Sequence, residues 1–146
     1  MAKYKEIIEK YETIVQDIKS GVYVMSNESD KPSIENLCIA IWDTGAIHTT
    51  ISPYWAKTLK LEKIGEDKIN TAGGLSSAYL FKCNLLLPDN IYFKDFVVYC
   101  SSIGQIDMLI GMDIISLGDF SITNSSGRTE FSFRIPLHIK KPDQEN

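Results

Sequence analysis

The feature that most restricts what this chain can fold into is an acid placed where an apolar run stops. Leu37-Cys38-Ile39-Ala40-Ile41-Trp42 leads into Asp43-Thr44-Gly45-Ala46, after which an apolar and β-branched run resumes at Ile47 and continues to Ser52. A short apolar run closed by a turn has the length of a buried strand. Ending such a strand on a charge is costly unless partners or water meet that charge. A carboxylate in that position is therefore more often functional than one on a solvated helix face. Gly45 lets the backbone turn tightly and come close to a ligand.

The rest of the chain reads as many short segments. Lys3 to Lys19 carries Tyr4, Ile7, Ile8, Tyr11, Ile14, Val15 and Ile18 at helical spacing, and Gly21 follows as a stop signal, so an amphipathic helix is expected there. From Val22 the period shortens. Strands are expected over Val22 to Met25, Leu37 to Trp42, Tyr79 to Leu87, Ile91 to Cys100, Met108 to Ile110, Phe120 to Thr123 and Thr129 to Ile135, with alternation continuing through Leu137 and Ile139. Asp67 to Ala72 is weakly extended. Ser52-Pro53 is a helix start, an N-cap followed by proline in the first turn, and a second helical turn is expected over Asp113 to Leu117. Many short strands separated by Gly and Pro turns predict an all-β domain, closed or sandwiched, with a short late helix and an N-terminal helical extension. At 146 residues and 44% hydrophobic content the chain holds one ordinary domain. The expected division is an extension over 1–20, the β domain over 21–140 and a disordered polar tail over 141–146.

Asp43-Thr44-Gly45-Ala46 after an apolar strand, with Ile51-Ser52-Pro53 next and Leu109-Ile110-Gly111-Met112-Asp113-Ile114 far downstream, resembles the retropepsin-like aspartic proteases, particularly their bacterial single-domain members. The resemblance spans Val22 to Pro136. It implies an acid-protease barrel, with Asp43 as catalytic acid and base, Thr44 locking the turn across a dimer axis and Gly45 presenting backbone to substrate. Ala46, where many relatives carry Ser, would contact substrate together with Ala72, Gly73 and Gly74 of a mobile flap spanning Thr71 to Ser76. Leu109 and Ile110 would wall the site. Asp113 would open the late helix in a structural role, where an acid complements the helix dipole. Asp107 is the other intramolecular acid near that segment.

The Asp-Thr-Gly unit occurs once, and no internal repeat is present. The second carboxylate that this chemistry requires is then expected from a homodimer, in which two copies of Asp43 meet at a two-fold axis. The expected function is hydrolysis of peptide bonds in an extended peptide or protein substrate; the alternative is a non-catalytic dimerisation or peptide-binding module of the same fold. A self-processing protein with no other substrate is a third possibility.

Charge and composition remove other classes. With 19 acids, 15 bases and a net charge of -4, no basic cluster marks a nucleic-acid or anionic-membrane surface. Cys38, Cys83 and Cys100 are odd in number and lack a Cys-x-x-Cys pair, which argues against disulfides and zinc. Two histidines, His48 and His138, do not make a metal cluster. No metal or organic cofactor is expected. No signal peptide or membrane-spanning run is visible, so a cytoplasmic protein is expected.

Overall fold

The computed structural model describes residues 3–137. In chain order the elements are β1 (Tyr4–Lys10), β2 (Lys19–Ser26), β3 (Leu37–Trp42), β4 (Thr50–Ile51), α1 (Pro53–Thr58), β5 (Glu62–Thr71), β6 (Gly74–Leu87), β7 (Ile91–Cys100), β8 (Met108–Ile110), α2 (Met112–Ile115), β9 (Asp119–Thr123) and β10 (Glu130–Pro136). Single 3-10 turns at Ile34–Asn36 and Pro88–Asn90 lead into β3 and β7. No helix among the described residues is long and apolar enough to cross a membrane.

Strands follow one another in the order β2-β3-β8-β4-β7-β6-β5, and a further pairing of β2 with β6, Tyr23↔Leu86 to Ser26↔Cys83, closes the first six into a barrel. β5 lies outside that ring as the free arm of a long hairpin with β6. Closure removes strand edges that would otherwise template association. The interior is filled by Val22, Val24, Cys38, Ala40, Ile51, Leu85, Val98, Met108 and Ile110, each fully or almost fully buried. In β2 and β3 the inward residues alternate with outward ones, as a period of two requires.

A second sheet, in the order β1-β10-β9, joins the two ends of the chain. This corrects the expectation of an N-terminal helix. Tyr4–Lys10 is a strand, paired along its length with β10 from Tyr4↔Pro136 to Lys10↔Glu130, and Lys19 already belongs to β2. Ile7 faces inward and is buried opposite Phe133, while its neighbour Ile8 points outward. Apolar residues at helical spacing can satisfy a strand equally well when a partner is available, and tertiary pairing then overrides propensity. That partner lies more than a hundred residues away. His138 and Ile139, at the end of the expected C-terminal alternation, and the polar tail after Lys141 lie outside the described residues.

Trp42 fastens the sheet to the barrel. It ends β3, and its ring lies 4.9 Å from Phe131, 5.0 Å from Phe133 and 6.2 Å from Phe120. Its indole N–H donates to Ser20 Oγ at 2.9 Å, and that hydroxyl donates to Glu9 Oε2 of β1 at 2.9 Å. A buried indole that keeps a hydrogen-bond partner contributes its full apolar area without an orphaned donor. The residue before Asp43 is thereby held by both sheets.

Candidate active site

Asp43 follows Trp42 directly, and its main-chain N–H donates to Ile110 O at 2.9 Å. The carboxyl is half-buried, and its Oδ1 accepts from Gly45 N–H at 2.8 Å. Among the described residues Oδ2 has no hydrogen-bond partner. A short Asp side chain bonding the N–H two residues on is an Asx turn, which is why an Asp suits the corner. Ala46 N–H closes the turn on Asp43 O at 3.1 Å. Thr44 and Gly45 at its apex are exposed.

The turn rests on β8 and the start of α2. Met112 N–H donates to Ala46 O at 2.8 Å and Asp113 N–H to Ile47 O at 3.2 Å. Gly111 lies so close beneath the turn that a Cβ there would meet His48 C at 2.7 Å, Ala46 O at 2.8 Å and His48 O at 2.9 Å. Its backbone is extended, so closeness rather than conformation is what requires glycine. The Asp113 carboxylate accepts from Thr49 N–H at 2.9 Å and from Thr49 Oγ1 at 2.6 Å, and Gly111 N–H donates to Thr49 Oγ1 at 3.1 Å. Burial pushes the Asp113 carboxyl above its ordinary range, against the opposing pull of the Thr49 donors and nearby His48. Asp113 braces the loop after the turn through both of its carboxylate oxygens. Asp107 is likewise engaged, accepting Ile39 N–H at 2.9 Å.

A cavity of about 320 Å³ opens beside the turn, lined by Gly45, Ala46, Ile47, His48 and Thr50 on one side, by Lys68, Ile69 and Asn70 of β5 on another, and by Tyr99. The glycine segment read as a flap is the tip of the β5–β6 hairpin. Thr71 pairs with Gly74 across Ala72 and Gly73, and Gly74 takes φ +109, which L side chains rarely adopt. Ala72 to Ser77 are exposed. Ile110 is buried in the barrel, where its carbonyl holds Asp43; Leu109, half-buried, pairs with Ile41 and Thr50.

Residues that escaped the sequence reading are Thr49, Lys68, Ile69, Asn70 and Tyr99. Tyr99 was one member of an alternating strand, and nothing local distinguishes it. The Lys68 to Asn70 segment could have been found by following the hairpin back from its glycines, since a lid contributes its flank as well as its tip.

A six-stranded closed barrel, with an Asp-Thr-Gly turn braced from below by an Ile-Gly strand end, defines the retropepsin-like class of aspartic protease folds. The chain belongs to the aspartyl protease family, whose profile, described as aspartyl protease, matches residues 38–114. Among solved structures, it is similar to a retropepsin-like aspartic protease from Rickettsia conorii, at a TM-score of 0.56 and 16% identity over 94% of this chain and 100% of that one. It is also similar to the EIAV protease complexed with the inhibitor HBY-793, at a TM-score of 0.55 and 16% identity over 69% of this chain and 86% of the viral one. No curated protein matches the chain.

Proposed function

We propose that the protein is an aspartic endopeptidase that acts as a homodimer, with a water held between the Asp43 carboxyls of two copies. The observation that carries this reading is the setting of Asp43: an acid at a strand end, in a turn held rigidly from below, with one carboxylate oxygen bonded within the turn and a substrate-sized cavity alongside. Two carboxyls at bonding distance share one proton, as is general for aspartic proteases, because both cannot ionise at once. The ionised member takes a proton from water as the water oxygen attacks the peptide carbonyl carbon. The protonated member hydrogen-bonds the carbonyl oxygen, and the C–N bond breaks as the amide nitrogen takes the proton that the first carboxyl removed from water, which leaves the pair again sharing one proton.

Exposed apolar side chains near the turn favour a covering partner: Ile47 is 72% exposed, Leu75 at the hairpin tip 70%, and Met112 37%. A second copy and bound peptide would cover these groups. Ala46, Ile47 and Ile69 offer an apolar wall, and Ala72, Gly73 and Gly74 would close over an extended substrate backbone.

The test is Asp43→Asn with wild type alongside. Loss of peptide cleavage with unchanged circular dichroism and sedimentation supports the endopeptidase. Cleavage retained in Asp43→Asn, or full activity in a strict monomer, overturns it, whereas a wild type that dimerises but cleaves no peptide favours the binding module.

A further inference from the structure

We propose that Tyr99 is a positioning residue that ties the flap arm β5 to the catalytic turn and so fixes the wall of the substrate cavity. The proposal rests on the endopeptidase reading for its meaning, though not for its geometry. Tyr99 holds three parts of the site at once. Its main-chain N–H donates to Thr49 O at 2.9 Å. Its ring stacks on His48 with centroids 3.8 Å apart and planes within 4°. Its phenol donates to Asp67 Oδ2 at 2.9 Å.

The last bond crosses a whole strand. Tyr99 of β7 is opposite Leu80 of β6, and Leu80 is opposite Gly65 of β5, so β7 and β5 are two strand spacings, roughly 10 Å, apart. Asp67 sits one step along the same face, paired with Ala78, which is buried. The small side chain of Ala78 lies on β6, between the strands that carry the phenol and the carboxylate, while Leu80 covers the same face over Gly65. Of the hydrogen bonds made by the side chains of Asp67 to Asn70, the one to Tyr99 alone leaves the hairpin, among the described residues.

The position of this bond along β5 gives it leverage. Beyond Asp67 the arm contributes Lys68, Ile69 and Asn70 to the cavity and then turns at Ala72-Gly73. At the other end of the chain of contacts, His48 is two residues past Ala46 and lines the same cavity. One side chain therefore joins both walls directly. Main-chain pairing with β6 alone would let the arm and its partner strand swing together, away from the turn.

The test compares Tyr99→Phe, which keeps the ring and the stack but deletes the hydroxyl, with Asp67→Ala and with Asp67→Asn, which retains an acceptor. In the full-length protein, Tyr99→Phe and Asp67→Ala should raise KM for a peptide substrate roughly three- to tenfold, the range for one lost hydrogen bond, with kcat changed by less than about twofold. Asp67→Asn should restore most of that loss. The double variant should be no worse than either single one, since both remove the same contact. Without substrate, amide exchange over residues 66–78 should accelerate in Tyr99→Phe and Asp67→Ala and stay near wild type in Asp67→Asn. Unchanged exchange in that segment overturns the proposal, as does a lower Tm with KM intact. Should wild type cleave no peptide, the endopeptidase reading fails while the exchange measurement still decides the latch.

Discussion

Replacing Gly111 with alanine adds one carbon where the chain leaves β8 beneath the Asp43 turn. The nearest atoms, His48 C, Ala46 O and His48 O at 2.7, 2.8 and 2.9 Å, belong to main chain and cannot rotate aside. Restoring ordinary contact requires a displacement of about 0.6 Å or more. The backbone conformation at 111 is open to any residue, so the entire effect comes from space. Because Ala46 O accepts Met112 N–H and Thr49 Oγ1 accepts Gly111 N–H, the displacement stretches bonds that hold the turn. Overpacking of this kind costs about 1–3 kcal/mol. For a chain of this length that lowers Tm by roughly 3–10 °C. The turn carries Asp43, and a shift approaching 1 Å in reacting groups costs on the order of a hundredfold in rate, so activity should fall at least tenfold at temperatures where the variant is folded.

Two other glycines supply the controls. A Cβ at Gly118 would overlap the Arg134 carbonyl outright, at the junction of α2 with the terminal sheet. Gly118→Ala should therefore destabilise more than Gly111→Ala, while its activity per folded molecule, disturbed only indirectly through Phe133 and Trp42, should fall less than in Gly111→Ala. At Gly65 the nearest atom is a Leu80 methyl at 3.8 Å, so Gly65→Ala should be nearly neutral in stability. Thermal melts followed by calorimetry, with peptide hydrolysis measured well below each Tm, separate the two effects. Wild-type Tm and activity in Gly111→Ala would refute the argument. So would an equal loss of activity per folded molecule in Gly118→Ala.

Asp113→Asn should destabilise by about 1–3 kcal/mol, because an amide cannot accept from both Thr49 donors as the carboxylate does; urea unfolding measures it. Burial raises the Asp113 carboxyl above the ordinary 3.8, so the folded state keeps a proton that the unfolded chain has released. The contribution of this group must then decline as pH rises from 3.8 through the raised value and level off above it. A wild-type-minus-Asp113→Asn stability difference that grows with pH over that window would contradict this. Burial pushes the Cys38 and Cys83 thiols up to about 12, with Asp107 adding to the effect at Cys38. Iodoacetamide at pH 8 should leave both unmodified in the native protein and alkylate both once it is unfolded, as mass spectrometry would show.

What the sequence disclosed depended on how local each feature was. β3, β7 and β8 end at the residues expected, because each is an apolar run closed by its own turn or glycine. α1 starts at Pro53 behind Ser52, whose hydroxyl accepts Trp55 N–H as an N-cap does. The corner at Asp43 and the glycine hairpin could be placed from short motifs in the right order. β1 could not, since its identity is decided by β10 and not by its own spacing. Tyr99 and Asp67 were illegible for a related reason: their bond skips a strand, and no periodicity in either segment encodes it. Gly111 was visible as a glycine, but the closeness that demands it became visible only with the turn above it.

The two halves of the site are held by different forces. Under Asp43 lies a floor of main-chain bonds and one half-buried carboxylate, continued through Trp42 into aromatic packing against Phe131 and Phe133. Those phenylalanines are carried by β10, which is covered in turn by β1. The turn at Asp43 is therefore supported by the pairing of β1 with β10, which joins residues more than a hundred positions apart. Over it stands an arm with an exposed tip, hydrogen-bonded chiefly to its own hairpin. On the endopeptidase reading, stability concentrated in the floor and withheld from the arm would let substrate enter without disturbing the acid, because local opening draws on the least supported segment first. A substitution that stiffens the arm and one that loosens the floor should thus both lower turnover, the first by slowing entry and release and the second by displacing Asp43.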